Sequence, residues 1–266
     1  MKILFIGDIV GSPGREVMKG LLPPLKKEYN LDFVIANAEN AAGGSGITAK
    51  VAKELFDLDI DVLTSGDHIW KKREIMEIIN KDERILRPLN FPAGAPGQGM
   101  GIFKSKSGLK IGVINLQGRV FMEALECPFK TSRQAQELLS RDIKVIIVDI
   151  HAEATSEKVA LGWYLDGRVS AVLGTHTHVQ TADEKILPGG SAYITDVGMT
   201  GAFDSVIGRR VEDVLERFIT AVPVRFEVAK ENLQLQGVVL DIDGQTGKAN
   251  SIIRVQKKLP NAKLKI

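Results

Sequence analysis

The feature that most constrains this chain is a repeated event: a short, continuously apolar run ends in a small or polar residue, and a helix-like stretch follows. KILFIGD precedes the region from Arg15 to Glu28, DFVIANAEN precedes Thr48 to Leu58, and DVLTSGDH precedes Lys72 to Asn80. KIGVINLQG is followed by Thr131 to Ser140, KVIIVDIHAE by Ser156 to Leu165, and VSAVLGTHTH by a loop and the strand SAYITD. Runs of this kind suit strands covered on both faces. Their alternation with helical segments predicts a layered α/β fold, a β-sheet core flanked by helices. The tail departs from this rhythm. From Arg225, FEVAKENLQLQGVVLDIDGQTGKANSIIRVQ reads as C-terminal antiparallel strands joined at Asp243-Gly244, too short for a separate domain, so residues 1–266 are expected to form one domain. Pro23-Pro24 is expected to cut or bend the first helix, and PAGAPGQGMG from Pro92 to form a surface loop.

Charge narrows the partners. The 35 basic and 33 acidic residues nearly cancel, leaving no electrostatic footprint for duplex DNA or a membrane surface. The single cysteine, Cys127, has no internal disulfide partner and is expected to pack quietly. The opening apolar run is broken by Gly7 and Asp8, too early for a signal peptide, and no run approaches the roughly 18 apolar residues of a membrane span. A cytoplasmic location is the expectation.

The polar residues fall where a site would be built. Asp8 ends the first strand, Glu39 and Asn40 the second, Asp67 and His68 the third, His151 the VIIVDI strand, and His176 and His178 the VSAVLG strand. Ligand crevices of open α/β sheets lie at the carboxyl ends of strands, so these residues are expected to converge. In an extended segment, residues two apart point to one side, which would aim both histidines of GTHTH into one pocket. All 4 histidines of the chain stand at strand ends beside carboxylates. Three histidines with three carboxylates exceed the needs of one tetrahedral ion and point to two metals, whose usual chemistry is in-line displacement at phosphorus.

Several neighbours carry open readings. Asp149, two residues before His151, is either a supporting partner of that histidine or half of a buried salt bridge. Ser12 to Arg15 is expected to start a capped surface helix, since GSPGR lacks P-loop spacing. Thr175 and Thr177 are expected to fill the opposite strand face. Trp70, Trp163, Tyr164 and Phe203 are the candidates for an aromatic clamp, Trp70 and Phe203 foremost because they follow His68 and the GMTG turn.

The order GD, a carboxylate at the second strand end, G-D-H, an isolated histidine and G-x-H-x-H resembles the calcineurin-like metallophosphoesterases. GDIVGSPGR, DFVIANAENAAGG, VDIHAEATSEK, GTHTHVQTAD and ITDVGMTG look like the YmdB-like branch, whose members are cyclic-nucleotide phosphodiesterases. The resemblance is strong from Met1 to about Arg210 and weaker beyond. It implies one metal held by Asp8, Glu39, Asn40 and His178 and a second by Glu39, Asp67, His151 and His176, with Glu39 bridging. His68 would stay free as proton donor. Iron or manganese is implied, with zinc compatible. Val10 stands where the wider superfamily has a histidine, and Asp67 where relatives usually carry Asn. The extra negative charge of Asp67 is expected to tighten the second metal and to shift phosphate affinity or metal preference.

Three functions follow as expectations. The first is hydrolysis of 2′,3′-cyclic nucleotides, or another small phosphodiester, to 3′-nucleotides, RNA-derived cyclic ends included. The second is a phosphomonoesterase or protein phosphatase on the same metals. The third is a regulatory, RNA-associated protein whose metal site binds ligand. A homo-oligomer is the expected assembly.

Overall fold

The computed structural model describes residues 1–260. In chain order the first half contains β1 (Lys2–Ile6), β2 (Asp8–Ile9), α1 (Gly11–Glu28), β3 (Phe33–Asn37), α2 (Ala49–Phe56), β4 (Val62–Thr64), β5 (Met100–Lys104), β6 (Lys110–Gln117) and α3 (Pro128–Leu139). The second half contains β7 (Val145–His151), α4 (Thr155–Leu165), β8 (Ala171–Thr175), β9 (Lys185–Ile186), β10 (Ala192–Ile194), β11 (Met199–Ala202), α5 (Val211–Thr220), β12 (Leu233–Ile242) and β13 (Ala249–Lys258). One sheet runs β2-β11-β12-β1-β3-β4 with β13 added to β12, and the other runs β5-β6-β7-β8-β10-β9.

The expected layering is present, and strand alternation explains it. In β1, Ile3 and Phe5 join Phe33, Ile35, Ile111, Val113, Val145 and Ile147 in a core between the two sheets. Leu4 and Ile6 turn the other way, under Val17, Leu22 and Leu25 of α1 and Leu55 of α2. On the second sheet Ile146 and Val148 meet Leu139 of α3 and Leu161 of α4. Strands covered on both faces need apolar residues at every position, which is why these runs lack a polar alternation.

Four local expectations are corrected. Helix α1 runs unbroken through Pro23 and Pro24. The prolines withdraw N–H donors from the carbonyls of Lys19 and Gly20, and both residues are exposed, so water can take the place of the missing donors. The region Lys72 to Asn80 forms only a short 3₁₀ turn over Arg73–Glu77, tied down by buried Ile75; its β-branched isoleucines favour a long helix weakly. The tail strands are antiparallel as expected, but their loop spans residues 243–248, with the positive φ at Gly247 rather than at Gly244. The Gly/Pro-rich run is a loop only to residue 99, after which Met100 begins β5.

Candidate metal site

Carboxyl ends of strands from both sheets converge, and every expected site residue lies there. Asp8 reaches this point because β1 breaks at Gly7. A Cβ at Gly7 would overlap the Gly198 carbonyl, so GD and the DVGMTG turn pass at backbone contact. Asp8 N–H donates to that carbonyl at 3.1 Å, and Asp8 pairs with Met199. Glu39 and Asn40 follow β3, Asp67 and His68 follow β4, His151 ends β7, and His176 and His178 follow β8.

Glu39 faces both halves of the cluster. Its Oε1 accepts from Asn40 Nδ2 at 2.9 Å and lies 3.2 Å from His68 Nδ1, while Oε2 lies 3.1 Å from His151 Nε2. In one half, Asp8 Oδ1 is 3.5 Å from His178 Nε2, and Asn40 Nδ2 is 3.3 Å from the same nitrogen. In the other, donor atoms of Glu39, Asp67, His151 and His176 lie within 4.8 Å of one another. His176 Nδ1 and His151 Nε2 are only 3.0 Å apart. Asp67 Oδ1, 3.3 Å from His151 Nε2, is buried yet accepts no hydrogen bond.

All three clustered imidazoles are held from behind. His151 Nδ1–H donates to Thr175 Oγ1 at 2.9 Å, and that hydroxyl donates to Asp149 at 2.7 Å. His176 Nε2 meets Glu153 at 3.0 Å, and His178 Nδ1–H donates to the Ile207 carbonyl at 3.0 Å. The nitrogens left over are the ones that face the carboxylates. Fixing one ring nitrogen outward is the usual way a protein orients a metal-binding histidine. Mixed carboxylate and imidazole donors suit a borderline divalent ion, and the orphaned Asp67 oxygen is an acceptor waiting for a partner, so the residues fit a metal. Asn40 currently turns Nδ2 inward; ligating a cation requires the half-turn of the amide that brings Oδ1 in.

The charges interlock. Burial works against the carboxylate of Glu39, but His151 and His68 overcome it and hold Glu39 well below its ordinary range. Burial likewise opposes the charge on His151, and Glu39 and Asp67 raise it well above the ordinary value nonetheless. Asp8 is lowered by His178 against burial, and His178 is raised by Asp8 against burial. His176 is lowered by burial and by the neighbouring His151. His68 is raised, chiefly by its hydrogen bond with Glu39. Asp149 is pushed up to about 7 by burial.

The reason expected for GTHTH is corrected. The segment is not extended: His176 and His178 have φ of 95° and 63°. Such φ values are unfavourable for residues with a Cβ, by about 1–3 kcal/mol each, and Asp196 holds the turn. Its carboxylate accepts from Thr177 N–H at 3.0 Å, Thr177 Oγ1 at 2.6 Å, Gly198 N–H at 2.7 Å and Lys158 Nζ at 2.9 Å. Thr175 and Thr177 therefore support the site instead of filling a strand face. Among the described residues Asp149 makes no salt bridge; it accepts from Thr175 Oγ1 and, at 3.3 Å, from Asn37 Nδ2. The start of α1 also differs, since Val10 offers no side-chain cap and Gly11, Pro13 and Gly14 are buried. Cys127 is partly buried just before α3.

A cavity of about 550 Å³ opens over the cluster. None of the expected aromatics lines it. Trp70 packs edge-on against Phe91, and Trp163 and Tyr164 project from α4. The aromatics on the cavity are Phe218 and Phe226. The sequence reading also omits Glu153, Lys158, Asp196 and Asn37, whose Oδ1 accepts from Glu39 N–H at 3.1 Å and whose Nδ2 donates to Asp149 at 3.3 Å. Only Glu153 carried a local signal, standing two residues after His151 in HAE.

A family profile described as "YmdB-like protein" matches residues 4–255. The chain is 52% identical over 258 residues to the 2′,3′-cyclic-nucleotide 2′-phosphodiesterase of Bacillus subtilis, covering 96% of each chain. The crystal structure of a novel phosphatase from Mycoplasma pneumoniae superposes with a TM-score of 0.91 at 37% identity, covering 97% of this chain and 93% of that one. The calcineurin-like phosphoesterase YfkN of B. subtilis shares the fold at a TM-score of 0.56 and 11% identity, over 98% of this chain and 91% of that one. With its GD, G-D-H and G-x-H-x-H residues gathered at the carboxyl ends of its strands, the chain belongs to the YmdB-like family, on the fold of the calcineurin-like phosphoesterases.

Proposed function

We propose that this protein is a metal-dependent phosphodiesterase that opens 2′,3′-cyclic nucleotides at the 2′-oxygen and leaves 3′-nucleotides. The observation that carries the reading is the orientation of the cluster: three imidazoles tethered on their outer nitrogens, with Glu39 offering one oxygen to each half. Asp8, Glu39, Asn40 and His178 would hold one ion and Glu39, Asp67, His151 and His176 another, iron or manganese by resemblance and zinc by ligand type. When bound, such ions supply Lewis acidity, lowering the pKa of water toward neutrality and drawing charge from phosphoryl oxygens. Both sheets contribute donors, which supports reading the chain as one working domain.

His68 supplies the remaining proton. It lines the cavity, with its Nδ1 3.2 Å from Glu39 Oε1 and its Nε2 3.7 Å from Asp67 Oδ2; the half-turn of the Asn40 amide exchanges the present contact of His68 with Asn40 Oδ1 for one with Nδ2. As water adds to phosphorus and the P–O2′ bond breaks, the departing 2′-oxygen needs a proton, and an imidazolium beside it donates one. No helix among the described residues is long and apolar enough to cross a membrane. A reducing, cytoplasmic setting suits a chain with one cysteine.

The test is hydrolysis of 2′,3′-cyclic AMP by metal-stripped protein with and without Mn²⁺, separating 2′-AMP from 3′-AMP. Metal-dependent 3′-AMP alone supports the proposal. Faster turnover of p-nitrophenyl phosphate than of the diester replaces it with the phosphomonoesterase reading. No turnover of either with metal bound replaces it with a ligand-binding role.

A further inference from the structure

The cavity over the cluster has two unlike sides. Residues of the polar cluster, including Asn40, His68 and His178, line its floor, and Val10, Val206, Val214, Phe218 and Phe226 line it with an apolar wall. The one cation on that wall, Arg209, is already spent on the backbone: its guanidinium donates to the carbonyls of Gly44 and Phe226. It therefore braces the wall, whose other side chains are apolar. Phe218 is 79% exposed, although its ring borders the cavity. A bare phenyl ring there has no packing explanation, because α5 buries only Val214.

A ligand that anchors a phosphate at the floor has this wall within the same cavity to receive its remaining atoms. The volume of about 550 Å³ falls within the roughly 300–1,000 Å³ of small-molecule sites. We infer that Phe218 and Phe226 form the stacking subsite for the planar base of the nucleotide, an inference that rests on the function proposed above. The wall offers two aromatic rings and, apart from the backbone-bonded Arg209, no side-chain hydrogen-bond donor. Recognition is thus by stacking, and it tolerates all four bases while favouring purines for their larger area.

The test compares 2′,3′-cyclic AMP with 1-O-methylribose 2′,3′-cyclic phosphate, which keeps the cyclic diester and lacks the base. Wild type, Phe218→Ala, Phe218→Tyr and Phe226→Leu are assayed with Mn²⁺. Calorimetric affinities for 3′-AMP and for 1-O-methylribose 3-phosphate are measured on the same proteins, and their masses by light scattering. The expected result is that Phe218→Ala lowers the adenosine-to-base-free ratio of kcat/KM, and of affinity, by about 10- to 100-fold, the range of one stacked base. Phe218→Tyr keeps the ratio, and Phe226→Leu lowers it less. An unchanged ratio overturns the inference. So does an equal loss for both ligands accompanied by a fall in mass, which would make the α5 face a contact between copies of the chain. Wild type that hydrolyses neither diester refutes the proposed function instead, and the affinity ratio then judges the subsite on its own.

Discussion

At the floor of the cavity Asp8, Glu39 and His151 are buried, and each clustered imidazole is held at its outer nitrogen. On the wall, α5 buries Val214 and leaves Leu215, Phe218 and Ile219 in the open. The floor draws on strand ends spread from residue 8 to residue 178 and on a supporting set that includes Thr175, Glu153, Lys158 and Asp196. The aromatic part of the wall comes from one short helix and the segment after it, with Val10 and Val206 beside it. The difference teaches that a site handling charge must be over-determined, since an unpaired buried charge is expensive, whereas a surface that offers only stacking can be lightly anchored.

If the floor divides its labour as proposed, His68→Ala has the largest effect. Turnover of the cyclic diester falls about 10²- to 10⁴-fold while metal content, read by elemental analysis, stays at the wild-type level. Loss of metal with turnover would make His68 a ligand and merge two roles that the comparison separates. Next comes Lys158→Met, which leaves Asp196 buried without its cation. Stability falls by about 3–5 kcal/mol in urea unfolding of the metal-free protein. A change below about 1 kcal/mol would show that the three other donors to Asp196 suffice. Thr175→Val keeps the shape and removes the hydroxyl between Asp149 and His151. Metal affinity in competition with a chelator drops about 10- to 100-fold. Unchanged affinity would mean that packing alone orients His151.

A pH experiment probes the same floor. Folded Asp149 keeps its proton up to about pH 7, whereas the unfolded side chain releases it near 3.8. The folded state binds more protons between those values, so this group's contribution to stability is complete below about pH 4 and is lost as pH rises through 7. In metal-free protein, the urea midpoint of Asp149→Asn should therefore rise relative to wild type from pH 4 to pH 8; parallel midpoints would refute the buried-acid assignment. The smallest effect is expected on the wall. Ile219→Ser, at a position 80% exposed, changes stability by less than about 0.5 kcal/mol. A larger loss would reveal packing that the comparison denies.

The layers and the convergence of Asp8, Glu39, Asn40, Asp67, His68, His151, His176 and His178 were legible because each of these residues ends an apolar run, and strand and terminus are both local patterns. The supporting set was not. Thr175, Asp196 and Lys158 are ordinary polar residues until the sheets bring them together. The turn at GTHTH was misread because i, i+2 spacing places side chains on one side only in extended backbone, and positive φ at histidine leaves no mark in composition. The aromatic wall was misplaced because Trp70 and Phe203 were chosen by nearness in sequence, while Phe218 and Phe226 reach the cavity by way of α5.

Strand β12 has a consequence for the timing of synthesis. It pairs with β1, the strand that leads into Asp8, and with β11, the strand that pairs with Asp8's own β2. On a ribosome the donors up to His178 emerge long before residues 233–242 do. The nascent protein therefore carries every side chain of the cluster for a time without the strand that aligns the first of them. The finished geometry of the cluster belongs to the last stretch of translation or to the moments after release, and a chain cut short before Leu233 would be a scaffold with nowhere to lodge its first aspartate.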